Sequence, residues 1–143
     1  MEEWGNQTGV VMFPDGRRVR GTGRRRSRGT AEPPDFAVYL LGRAPGDQPW
    51  EHRWVKWRDF GLPASTPEAV GVLREAFERS TAERVEISCN GGVGRTGTAL
   101  ALMAVMSGIP ASDAAAWVRR NYHPRAVETH RQRRWIIEAA ALL

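Results

Sequence analysis

The chain of 143 residues has a single cysteine, Cys89, and a single lysine, Lys56, among 21 basic residues. One cysteine excludes an internal disulfide, and at this length a hydrophobic core forms without disulfides or metal. No stretch approaches the roughly 20 apolar residues of a membrane-spanning helix. The opening, MEEWGNQTGV, lacks the apolar h-region of a secretion signal. Together these absences lead us to expect a cytoplasmic protein with no membrane span. Repeats are absent, and the one biased segment is RRVRGTGRRRSR, with seven arginines between Arg17 and Arg28. The formal net charge is +5. Because the base is nearly all arginine, its donors suit bidentate recognition of oxyanions. The loop 17–28 is expected to meet anionic surfaces electrostatically. No nucleic-acid motif or interleaved aromatic accompanies it, so nucleic acid is not the expected partner.

The remainder patterns as one domain over 1–143. GVVMF (9–13), the turn PDG (14–16) and RRVRG (17–21) read as a hairpin. Residues 22–35 lack apolar periodicity and read as loop. FAVYLLG (36–42) is a buried strand. EHRWVKW (51–57) alternates, with Val55 and Trp57 facing one way and Trp54 and Lys56 the other. Ser65 or Thr66 caps a helix to about Arg79, with Pro67 in its first turn. RVEIS (84–88) is a strand. Residues 95–107 are apolar nearly all round, as in a helix inside a protein. Residues 112–122 and a segment from about Glu128 supply two more helices. The expected fold is α/β: a mixed central sheet flanked by helices on its faces, with a glycine-rich loop between a strand and a buried helix.

That loop is ISCNGGVGRTGT (87–98). Between Cys89 and Arg95 stand Asn90, Gly91, Gly92, Val93 and Gly94. Three glycines let the backbone curl with its N–H groups inward, a nest for an anion, and the following helix N-terminus adds positive partial charge. Arg95 closes the ring with a bidentate donor. In such a field the thiolate is favoured over the thiol, and the thiolate is the nucleophile. Thr96 can donate its hydroxyl to the sulfur. No Gly-Lys-Ser/Thr and no G-x-G-x-x-G is present, which sets the loop apart from nucleotide-binding loops. The bland alternative is a structural cysteine before an ordinary strand-to-helix turn.

CNGGVGRTGT resembles the Cys-x5-Arg-Ser/Thr signature of the protein tyrosine phosphatase superfamily, including its Gly-Arg-Thr-Gly ending. The resemblance spans about 54–135. Two departures are Ser88, where the larger family usually has His, and the absence of lysine from the loop. The resemblance implies a cysteine-dependent phosphatase acting on phosphotyrosine, or on phosphoserine and phosphothreonine, in proteins or on small phosphomonoesters, with no metal and no cofactor. It carries the nucleophile to Cys89 and the phosphate cradle to residues 90–94 with Arg95. WRDFGLP (57–63) resembles the family's Trp-Pro-Asp loop with Arg58 at the proline position. It carries the general acid to Asp59, with Trp57 as anchor and Gly61 as the source of freedom. PRAVETHRQRRW (124–135) resembles a late segment that brings a glutamine to the pocket, so Gln132 is expected to orient the hydrolytic water. Glu128 is read as a helix-start residue, His123 and His130 as surface histidines, and the six tryptophans as core and pocket wall. A phosphate-recognition module without turnover, a polyanion binder working through the arginine loop, and a sulfur-transferring rhodanese-type enzyme are the competing readings.

Overall fold

The computed structural model describes residues 4–5, 7–25 and 32–143. Five strands form one sheet in the order β1-β2-β5-β3-β4: β1 (Val10–Met12), β2 (Arg18–Gly23), β3 (Phe36–Leu41), β4 (Glu51–Lys56) and β5 (Val85–Cys89). The hairpin partners β1 and β2 are antiparallel and the other neighbours parallel. The strand that ends on Cys89 is therefore central, with its C-terminal end free to open into the glycine-rich loop, where parallel sheets place their sites.

Four helices follow: α1 (Thr66–Arg79), α2 (Gly94–Met106), α3 (Ala114–Asn121) and α4 (His130–Ala140). Ser65 caps α1, its Oγ accepting from the Glu68 amide at 3.2 Å. Helix α2 is buried from Gly94 through Ala104, as its all-round apolar sequence requires. Residues of all four helices join β-strand residues Val19, Val38, Leu40, Val55 and Ile87 in one core. Only Ala37, Tyr39 and Leu41, with Trp50 against them, form the smaller cluster on the other face. Among the described residues, then, the helical layer gathers on one face of the sheet.

The second face is polar at its centre. The Arg20 guanidinium and Glu86 carboxylate, 5% and 1% exposed, pair across β2 and β5, and Arg20 Nη2 also donates to the Glu32 carbonyl at 2.7 Å. A cavity of about 750 Å³ lies over this face, lined by Arg20, Thr22, Tyr39, Ser88, Gly92 and Tyr122 among others. On the edge strand, Arg79 of α1 hydrogen-bonds Glu51 and holds its carboxyl down to about 2.

Strand β2 runs two residues past the expected hairpin. Thr22 and Gly23 pair with Ser88 and Cys89. A strand end made of Thr-Gly has no apolar side chain to reveal it. Its reason is backbone contact, since a Cβ on Gly23 would lie 2.7 Å from the Gly91 carbonyl group. The chain continues along the loop, with Arg24 N donating to Cys89 O at 2.9 Å and Arg25 N to Asn90 O at 3.1 Å. The arginine segment is thus pinned to the loop at its start, while Arg26, Ser27 and Arg28 lie outside the described residues. Helix α4 begins at His130, two residues later than expected, because Thr129 and not Glu128 takes the cap.

Candidate active site

Cys89 ends β5 on its helix-covered side and is 2% exposed. Its Sγ accepts the Gly92 amide at 3.2 Å and the Thr96 hydroxyl at 3.1 Å. Gly92 turns the loop with φ of +75°, and a Cβ there would stand 2.6 Å from the Gly23 amide nitrogen. Only glycine satisfies both demands. Val93 precedes α2 without a side-chain cap, so no capping side chain takes the first-turn amides of this buried helix. Asn90, Gly91, Gly92, Val93 and Gly94 make the turn between β5 and the first residues of α2, and among them the Gly92 amide reaches the sulfur.

Arg95 is 2% exposed. Its Nη1 donates to the Trp57 carbonyl at 2.9 Å and its Nη2 stands 3.6 Å from Asp59 Oδ1. Its Nε is buried with no hydrogen-bond partner among the described residues. Leaving a buried guanidinium donor unmatched is costly, and an oxyanion above Cys89 would satisfy it.

The loop after β4 is fixed at its ends and exposed at its tip. Trp57 is fully buried, packs on Trp135 at 5.2 Å between ring centroids, and donates its ring N–H to the Gly61 carbonyl at 2.8 Å. Its own amide donates to Leu41 O at 2.9 Å, and it bridges to Pro63. Asp59 is half-exposed at the tip, beside Arg95. The freedom expected of Gly61 falls elsewhere: Phe60 has φ of +60°, while Gly61 turns tightly, its amide donating to Arg58 O at 3.0 Å. A Cβ on Gly61 would lie 3.2 Å from that same carbonyl, so close approach is what calls for glycine.

Gln132 is fully buried and engaged at both ends. Its Oε1 accepts the amides of Glu128 and Thr129 at 3.0 and 3.2 Å, forming a capping box with Thr129. Its Nε2 donates to the Gly61 carbonyl at 3.2 Å. It ties the start of α4 to the Asp59 loop, and its amide faces that loop. Glu128, read from the sequence as part of the helix, stands before the cap with an exposed side chain. A Cβ on Gly94 would collide with Glu128 Oε1 and lie 2.7 Å from its Cδ, so the carboxylate lies over the first residue of α2. The preceding Val127 is buried with φ of +64°. That is an outlier for a β-branched residue, costing about 1–3 kcal/mol. Arg119 braces it by donating to the Ala126 and Val127 carbonyls at 2.8 and 2.7 Å.

Three further groups touch the loop or Arg95 from outside the motif. The Tyr122 hydroxyl donates to the Gly92 carbonyl. The Trp57 carbonyl orients Arg95. Glu128 reaches the loop. The available signal was the pair Gly94 and Gly97, three apart on α2, where a Cβ would meet Glu128 and Ala126 respectively. A small-residue face on a buried helix marks a close approach without saying what approaches.

A cysteine beside a glycine-rich turn, an arginine whose Nε lacks a partner among the described residues, and a carboxylate on the neighbouring loop meet at one end of the sheet, an arrangement that suits a cysteine-based phosphatase. Comparison with known proteins agrees. The model of the protein-tyrosine phosphatase family matches residues 38–141. An uncharacterised protein of Methanocaldococcus jannaschii is 32% identical over 123 residues, covering 73% of this chain and 76% of that protein. Among solved structures, Tk-PTP in its active form superposes with a TM-score of 0.71 at 28% identity, covering 93% of this chain and 97% of that one. The phosphatase TcPTP1 of Trypanosoma cruzi shares the fold, with a TM-score of 0.55 at 22% identity over 68% of this chain and 37% of that one. The chain belongs to the protein-tyrosine phosphatase family.

Proposed function

We propose that the protein hydrolyses phosphomonoesters, phosphotyrosine of proteins foremost, through a cysteinyl-phosphate on Cys89. The observation that carries this is the sulfur itself, held by the Gly92 amide and the Thr96 hydroxyl at the foot of an uncapped helix. The amides of 90–94 and the Arg95 guanidinium receive the three non-bridging phosphoryl oxygens and neutralise their charge. The Cys89 thiolate attacks phosphorus in line with the ester oxygen. Asp59 gives its proton to that oxygen as the P–O bond breaks. Water then attacks phosphorus and Asp59, now a carboxylate, takes a water proton. The P–S bond breaks and its electron pair returns to Sγ, where Thr96 donates to the departing thiolate. The mechanism draws its charge stabilisation from Arg95 and backbone dipoles, so it calls for no metal and no cofactor. The exposed loop tip beside Asp59 admits a phosphorylated side chain on a protein surface as well as a small ester.

The test is steady-state hydrolysis of an aryl and an alkyl phosphate between pH 5 and 8 in the presence of a chelator, with Cys89→Ser and Asp59→Asn alongside. We expect loss of turnover in Cys89→Ser and a fall of about two orders of magnitude in Asp59→Asn. Aryl ester should be preferred. A folded wild type that binds phosphate but turns over neither ester would make the site a recognition module.

A further inference from the structure

We propose that the cavity on the second face of the sheet is a binding site for a small aromatic carboxylate, held between Arg24 and Ser88; the proposal does not depend on the catalytic reading. The register of the sheet sets the floor of the site. Thr22 and Tyr39 both pair with Ser88, so the three stand in one row across β2, β5 and β3. Cys89 joins the helix-covered core, and its neighbour Ser88 faces the other way, into the cavity. Ser88 is 1% exposed, and its Oγ has no hydrogen-bond partner among the described residues. A buried hydroxyl left unmatched is costly, and an occupant with a polar end would satisfy it. Gly92 lines the same cavity while its amide reaches the Cys89 sulfur. The site therefore backs onto the glycine-rich loop, and neither Asp59 nor Arg95 lines it.

The walls set the chemistry of the occupant. At about 750 Å³ the cavity has the size of a small-molecule site. Its buried charges cancel: Arg20 pairs with Glu86 and spends its other donors on Gln7 and the Glu32 carbonyl, and the Glu32 carboxylate pairs with Arg84. Arg24 is the exception. It is exposed, its guanidinium stands 5.3 Å from the Tyr39 ring centroid, and no carboxylate among the described residues pairs with it. One unneutralised cation calls for one negative charge, which a carboxylate supplies and a phosphate dianion exceeds. Tyr39, Trp50 and Tyr122 line the same space, so the body between the polar ends is an aromatic ring. The strand fixes its length. Arg24 continues the ladder, its amide donating to the Cys89 carbonyl, two residues beyond Thr22. That places it about 7 Å along the sheet from the row of Ser88. A benzene ring with a carboxylate at one end and a hydroxyl at the other spans this distance, the carboxylate meeting Arg24 and the hydroxyl meeting Ser88 Oγ.

The experiment titrates the full chain, labelled with nitrogen-15, with 4-hydroxybenzoate and follows the amide resonances. Benzoate, 4-hydroxybenzamide and cyclohexanecarboxylate serve as controls for the hydroxyl, the charge and the ring. We expect saturable shifts at Thr22, Arg24, Tyr39, Ser88 and the Trp50 indole N–H, with none at Asp59 or Gln132. The dissociation constant should be about 1 mM or tighter. Benzoate should bind about fivefold more weakly, and the neutral amide about tenfold more weakly or worse. Ser88→Ala should match the loss seen with benzoate, and Arg24→Gln the loss seen with the amide. Thermal midpoints show that the variants fold, and Arg24, being exposed, carries the test if Ser88→Ala does not. Shifts centred on Asp59, Arg95 and Thr96 would mean that the probe sits in the phosphate cradle, and would overturn the proposal. So would the absence of saturable shifts up to about 10 mM, equal binding of the neutral amide or of the cyclohexane acid, or an unchanged affinity in Arg24→Gln. Each of these leaves the phosphatase reading intact, because none of them measures turnover.

Discussion

The Cys89 sulfur accepts two hydrogen bonds, and one of them can be removed without changing the shape of the core. Thr96 is fully buried and its hydroxyl reaches Sγ at 3.1 Å. Thr96→Val keeps the volume and deletes the donor. A hydrogen bond to a charged group contributes about 1.5–3 kcal/mol, so turnover should fall about 10- to 100-fold. Alkylation of Cys89 by iodoacetamide at neutral pH should slow with it; unchanged alkylation would mean that Thr96 does not act on the sulfur. Cys89, Arg95 and Thr96 were legible in the sequence because a strand, a glycine turn and a helix place them within one contiguous stretch. Asp59 was legible through its neighbours, Trp57 and Gly61. Glu128 was not, because its meeting with Gly94 depends on the path of the chain between α3 and α4.

At the scale of elements, the loop's conformation depends on two strand ends meeting. Gly92 is left-handed and packs on the backbone of Thr22 and Gly23. A Gly92→Ala change adds both a steric conflict with backbone and an unfavourable φ, at a cost of about 1–3 kcal/mol or more. Denaturant unfolding should show that loss, and inorganic phosphate should no longer inhibit competitively, because the amides cannot curl around the anion. A variant as stable and as active as wild type would show that the turn is not required. The same contact explains what the pattern concealed. The helices and the apolar strands followed from periodicity and caps, with Ser65 and Pro67 marking α1 in the linear sequence. The last two residues of β2 offered no side-chain pattern, being held by backbone pairing with Ser88 and Cys89 alone. The start of α4 shifted because a capping box built from Thr129 and Gln132 outweighs the dipole preference for an acid at Glu128.

Across the whole molecule, the two faces of the sheet have different work. The helix-covered face is the core and brings Cys89, Arg95, Trp57 and Gln132 to one end of the sheet. The other face carries the buried Arg20–Glu86 pair and the cavity behind the loop. The succession of strands and helices along the chain made the α/β sheet legible, but the distribution of helices between faces was not: no apolar stripe on a helix states which face of the sheet it will meet. The polar second face has no mark in the linear sequence, since only the parallel register of β2 and β5 sets Arg20 and Glu86 side by side.

The account stands on a covalent bond between phosphorus and the Cys89 sulfur, and rapid acid quenching during turnover of an aryl phosphate tests it directly. Peptide mapping of the quenched protein should locate one phosphoryl group, on Cys89, and Cys89→Ser should carry none at that position while losing turnover. A phosphoryl group on another side chain, or sustained hydrolysis by Cys89→Ser, would contradict the account.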